Sequence, residues 1–222
     1  MAPLSSNAGS RTPGQVLVGT SGWSYPDWAG AFYPEKKPAR FDELEYFARY
    51  FDCVEVNSSF YRPPAARSTA SWLRRTPGTF QFTFKLHQRF THEGDRPWTR
   101  EEVDEYRRGI DPVREAGRLG AVLVQFPWSF RAGEEAFRRL ADVKRDFGDL
   151  PLVVEVRHVS WIADAALDVL PQLDPILPQR RQRELTQFPL EGHDLAALPI
   201  ARHLQLEVAF DSLRRVVRLE GS

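Results

Sequence analysis

The chain has one cysteine, Cys53, and therefore no internal disulfide. That cysteine opens an apolar run with Val54 and Val56, where a small buried thiol is expected and a reactive one is not. Charge of one sign is missing too. Lys plus Arg and Asp plus Glu number 30 each, a formal net charge of zero. Nothing but a local basic patch would then draw the chain to nucleic acid or to a membrane surface. No run of about 18 apolar residues is present, so no apolar membrane-spanning helix is expected. Residues 1–14 hold no apolar stretch of the signal-peptide kind and read as a disordered start, which makes a cytoplasmic location the expectation. No glycine-rich phosphate loop follows the first strand, where G-T-S-G-W has the wrong spacing and bulky aromatics.

What is present is a run of β-rich segments alternating with helical patterns. The strands are Q-V-L-V-G-T (15–20), C-V-E-V-N (53–57), F-Q-F-T-F-K (80–85), G-A-V-L-V-Q-F (120–126) and P-L-V-V-E-V-R (151–157). Helices are predicted at about 41–50, with Leu44, Phe47 and Ala48 on one face, and at 68–75, 100–117, 134–147 and from 161 to 170. This alternation predicts an α/β fold with a parallel sheet and helices outside it. Periodicity alone leaves a (β/α) barrel and an open sheet undecided.

Side chains alternate between the two faces of a strand. Glu55 and Asn57 oppose Val54 and Val56; Lys85 opposes Phe82 and Phe84; Gln125 opposes Val124 and Phe126; Glu155 and Arg157 oppose Val154 and Val156. Four strands thus carry a large polar group near the C-terminal end, away from their bulkiest apolar residues. Burying such groups is costly unless they pair with one another or with a ligand. An ion-pair layer of Glu55 and Glu155 against Lys85 and Arg157 would satisfy them without any function. Their convergence points instead to a site, with the carboxylates as acid and base and the cations as an anion clamp.

Weaker signals surround these. His92 in T-H-E and His158 in R-H-V-S-W follow strands three and five, and either suits proton transfer or metal ligation. Two carboxylates and two histidines could hold a divalent metal, but no ligand spacing supports one, and the cofactor stays open. The aromatic loop with Trp23, Tyr25, Trp28, Phe32 and Tyr33 fits either a pocket floor or core packing. Ser58 and Ser59 lack a nucleophile signature.

The motifs G-T-S-G-W-S-Y-P-D-W-A-G-A-F-Y-P, V-E-V-N-S-S-F-Y-R-P-P, F-T-F-K followed by T-H, L-V-Q-F-P-W-S-F and V-V-E-V-R-H-V-S-W together resemble the YecE-like (DUF72) family, in order, over about residues 15–170. The resemblance implies a TIM-like (β/α) barrel, incomplete here, with about five βα units. It carries Glu55, Asn57, Lys85, His92, Glu155 and His158 as candidate catalytic residues, and Trp23, Tyr61, Gln125 and Arg157 as candidate substrate contacts. It supplies no reaction. The expectation is a barrel enzyme of hydrolase or lyase type for a small anionic, phosphorylated substrate. The alternatives are a non-catalytic nucleic-acid or ligand-binding module, or an inactive truncated member.

Beyond about residue 170 the resemblance fades. The family's Arg-x-His-Gly and Phe-Asn-Asn strands have no clear counterpart, and R-L-E-G (218–221) places Glu220 where His belongs. Every Trp, Tyr and Lys lies before Pro171, and the rest is Arg-rich, as in P-Q-R-R-Q-R-E-L. Residues 171–222 are therefore read as a divergent or frameshifted segment. In the former reading, H-L-Q-L-E-V-A-F (203–210) is a true strand. A complete barrel takes about 250 residues in eight units, so closure by this segment is not expected.

Overall fold

The computed structural model describes residues 16–94, 96–162, 206–210 and 215–219. Five strands, β1 (Val16–Ser21), β2 (Cys53–Val56), β3 (Gln81–Lys85), β4 (Leu119–Gln125) and β5 (Leu152–Glu155), pair in parallel, each beside its predecessor in sequence. An open doubly wound sheet reverses its strand order at a switch point. This one does not: the order β5-β4-β3-β2-β1 is monotonic. The result is a curled α/β half-barrel, as the resemblance implies, and the open sheet is set aside.

Between the strands run α1 (Glu43–Phe47), α2 (Ala66–Arg75), α3 (Gln88–Thr91), α4 (Arg100–Glu115) and α5 (Glu134–Phe147). Their apolar stripes meet a single face of the sheet. Leu44 and Phe47 of α1, Tyr106, Ile110 and Val113 of α4, and Leu140, Val143 and Phe147 of α5 share one core with Val54, Val56, Phe82, Phe84, Val122, Val124 and Val154. The opposite face carries a separate small apolar patch, Ala121, Leu123 and Val153. Close strand approach is required at Gly19, where an added Cβ would meet the Cys53 carbonyl oxygen at 2.1 Å. Cys53 itself is buried, as its apolar neighbours indicate.

Three details differ from the sequence reading. β5 ends at Glu155 rather than Arg157: the Phe126 N–H bonds the Glu155 carbonyl at 3.0 Å, and the chain then turns into a 3-10 segment at Val159–Ile162. Of the helix predicted at 161–170, the remainder lies outside the described residues. The stretch after β3 contains α3, so His92 is the C-cap of a helical turn instead of a plain loop residue.

Beyond β1 the sheet continues with β6 (Leu206–Phe210) and β7 (Arg215–Leu219), both antiparallel. β6 falls within the alternating segment 203–210, and β7 includes the arginine of R-L-E-G. A parallel barrel would set a parallel strand against β1. The β6 direction makes this edge a capped sheet margin, and among the described residues the barrel does not close.

Candidate functional site

Register brings the polar side chains to one place. Ser21 is level with Glu55 and Glu55 with Thr83; one step further, Lys85 is level with Leu123 and Leu123 with Val153; the last pair is Gln125 with Glu155. Partners in a parallel ladder project to the same face. These residues therefore share the Leu123–Val153 face, turned away from the helices, at the C-terminal ends of the strands. In closed barrels of this kind, active sites lie at that end.

A first group centres on Glu55, whose side chain is 2% exposed. The Ser21 hydroxyl donates to Glu55 Oε1 at 3.1 Å, and Lys85 Nζ lies 3.5 Å from the same oxygen. Asn57 Nδ2 donates to Ser21 Oγ. Ser21 has one proton, committed to the carboxylate, so the Asn57 amide must present its NH2 and not its oxygen to Ser21. Asn57 Oδ1 is left buried and, among the described residues, without a hydrogen-bond donor. The backbone under Lys85 is pinned from behind: Tyr106 donates to its carbonyl at 3.0 Å, and Ser59 Oγ lies 2.7 Å from it. Ser59 also lies 2.6 Å from the Val56 carbonyl, so this buried hydroxyl is spent on fixing strand ends.

The second group centres on Glu155. Gln125 Nε2 donates to Oε2 at 2.7 Å, and Arg157 Nε to Oε1 at 2.7 Å. The ion pairs of the purely structural reading thus form, each carboxylate with its cation. His92 joins the two groups electrostatically. Burial first, then the positive charges of Arg157 and Lys85, holds its imidazole below the ordinary histidine value. Its Nδ1 lies 2.8 Å from Thr91 Oγ1, and its ring meets the Phe60 ring edge-on at 4.8 Å.

The remaining predicted residues are not drawn into these groups. His158 Nδ1 accepts the Ser160 N–H at 3.1 Å and lies 2.9 Å from Ser160 Oγ, so one ring nitrogen is used by its own turn. Trp23 packs edge-on against Trp72 at 5.3 Å and joins the core. Tyr61 is 71% exposed beside Phe60. In the aromatic loop, Trp28 and Tyr33 are buried against Phe47 and Phe41, which is core packing. Among the described residues, no three His, Cys, Asp or Glu side chains are placed to hold a metal ion. Ser21 is the residue the sequence reading missed. Carrying the β1 alternation one residue past Thr20 would have put it on the Glu55 face.

Comparison with known proteins supplies a family. The model described as protein of unknown function DUF72 matches residues 17–188. The UPF0759 protein YunF of Bacillus subtilis is 32% identical over 152 residues, 67% of this chain and 52% of that one. The UPF0759 protein YecE of Escherichia coli K12 is 28% identical over 149 residues, 67% and 50% respectively. The chain thus spans about half the length of the curated relatives it matches. A crystal structure of a DUF72 family protein from Thermotoga maritima aligns with a TM-score of 0.57 at 35% identity, covering 69% of this chain and 60% of that one. One from Enterococcus faecalis aligns with a TM-score of 0.60 at 24% identity, over 70% and 55%, which bears on the fold alone.

Proposed function

The chain belongs to the DUF72 family, matched across the half-barrel that carries the polar strand ends, and on that premise we propose an acid–base active site for a small anionic substrate. One observation carries this reading. Two carboxylates, two cations and two amides gather at or just past the C-terminal ends of consecutive strands, and an imidazole that feels both cations lies beside them. A lumen built for stability alone would gain more from apolar side chains, because desolvating ion pairs offsets most of their attraction.

In this reading Lys85 and Arg157 bind the anion. Glu55 and Glu155 exchange protons with the reacting group, Gln125 orients Glu155, and Asn57 with Ser21 orients Glu55. His92, kept neutral between two cations, accepts a proton readily only once an anion lies beside it. Tyr61, adjoining His92 through Phe60, contacts the substrate from the exposed side. Trp23 and His158 are held by packing and turn contacts and take no chemical step. Hydrolysis or elimination of a phosphate ester fits these groups, since both need an anion clamp and a paired acid and base.

The test is a panel of phosphate monoesters followed by phosphorus NMR. Wild type should consume at least one. Glu155→Gln should lose about a hundredfold or more of that turnover with an unchanged thermal midpoint. Full activity in this variant removes Glu155 from the chemistry. A panel that neither binds nor turns over defeats the anionic-substrate reading.

A further inference from the structure

The exposed large apolar side chains are distributed unevenly. Among the described residues they are Tyr25, Tyr50, Tyr61, Trp128 and Val159. All but Tyr50 lie on segments that follow a strand: Tyr25 after β1, Tyr61 after β2, Trp128 after β4 and Val159 after β5. Among the described residues, the opposite end of the sheet, where helices lead into strands, has only Tyr50. Scattered single exposures need no explanation, but a concentration around one opening does. Here the opening is the one floored by Lys85 and Arg157.

Trp128 is the strongest member. It is 64% exposed, three residues past Gln125, and its ring centroid lies 5.8 Å from that of His158, the neighbour of Arg157. A tryptophan ring left largely to solvent on the segment after β4, against the residue that follows Arg157, offers a planar apolar surface at the end of the sheet that carries the anion anchor. Across the mouth, Tyr61 offers a second ring and leads through Phe60 to His92. A sugar phosphate would use the polar floor and cover these rings only with its C–H faces. A phosphate carried on a planar heterocycle uses both, because every base has a face that stacks on an aromatic side chain.

We infer that the rim formed by Trp128 and Tyr61 is a stacking subsite, and that the substrate class is a nucleoside monophosphate or a similar ring-bearing phosphate ester. This rests on the anion-binding reading of Lys85 and Arg157 and narrows it. The subsite contributes affinity for the ring; the chemistry stays with the strand-end carboxylates.

The experiment is calorimetric binding of three probes to the full chain: inorganic phosphate, ribose 5-phosphate and adenosine monophosphate. The nucleotide should bind about tenfold or more tighter than the sugar phosphate, the range that stacking of one base provides. Trp128→Ala should erase most of that difference while leaving phosphate and ribose 5-phosphate affinities in place. Because Trp128 is mostly exposed, its removal does not threaten the fold, and Tyr61→Ala provides a second test on the other side of the mouth. Equal binding of nucleotide and sugar phosphate overturns the inference. So does a nucleotide preference that survives both substitutions, or binding of an oligonucleotide without the mononucleotide. If none of the three probes binds, or if binding is indifferent to Lys85→Ala and Arg157→Ala, the anion-binding reading itself fails.

Discussion

His92 has a folded-state pKa below 6.5, because burial and then the charges of Arg157 and Lys85 oppose its protonation. The unfolded chain therefore takes up this proton first as the pH falls. The sign follows: stability is unaffected well above pH 6.5, declines as pH drops through 6.5 toward the folded pKa, and changes no further below it. Removing one opposing charge with Arg157→Gln should move the His92 titration upward, and saturating phosphate should do the same in wild type. Both are read from the His92 ring proton shift in an NMR titration. If neither moves it, Arg157 and Lys85 do not act on the imidazole and the anion is not held between them. At this scale much was legible. Glu55, Lys85, Gln125 and Glu155 follow from strand alternation alone, since one face had to meet the helices. What alternation cannot show is the hydrogen-bond direction that leaves Asn57 Oδ1 alone. That depends on Ser21 arriving from another strand, 36 residues away.

Secondary-structure elements are read best where they are long and periodic. α4 starts at Arg100 and α5 spans Glu134–Phe147 as the pattern places them, whereas four-residue α3 is too short to show a period and is capped by His87, an uncommon cap. The segment carrying His92 owes its position to arginines that no local pattern reveals. Arg139 on α5 donates to the Phe90 carbonyl at 3.0 Å and the Arg89 carbonyl at 3.2 Å, satisfying groups at the end of α3. Arg89, nearly buried, reaches Glu102 at 3.1 Å and the carbonyls of Arg96 and Pro97. Glu102 is the shared anchor, because it also closes the capping box with Thr99 at the start of α4. Its hydrogen bond from Arg96, resisted by partial burial and reinforced by the Thr99 N–H, lowers its pKa from 4.5 to about 2. The stabilisation is complete above pH 4.5 and is lost as pH falls from 4.5 toward 2. Glu102→Gln should cost about 1–2 kcal/mol at neutral pH. Its thermal midpoint should also converge on that of wild type as the pH is lowered through this window. A gap between the two proteins that is undiminished at low pH would assign the loss to packing instead of charge.

The whole molecule is the scale at which the sequence speaks least clearly. The monotonic order of β1 to β5 follows from repeated βα units, and the family resemblance turns that order into a half-barrel. What lies beyond β1 follows from neither, because antiparallel β6 belongs to the Arg-rich segment whose composition breaks from the rest. The two readings of residues 171–222 make opposite predictions for a chain truncated after residue 205. If β6 is a native strand, its pairing with β1 from Val16 to Thr20 covers an edge that would otherwise present unpaired N–H and C=O groups. Truncation should then lower the thermal midpoint and drive self-association, because a bare edge strand is a template for another chain. Light scattering coupled to size exclusion reads this directly. If the segment is frameshifted text without a structural role, the truncated chain should remain as monodisperse and as stable as the full one, and another reading frame of the same DNA should encode the Arg-x-His-Gly and Phe-Asn-Asn strands. A shortened chain that aggregates, with no alternative frame behind it, would establish β6 as part of this half-barrel and its antiparallel direction as the chain's own way of covering β1.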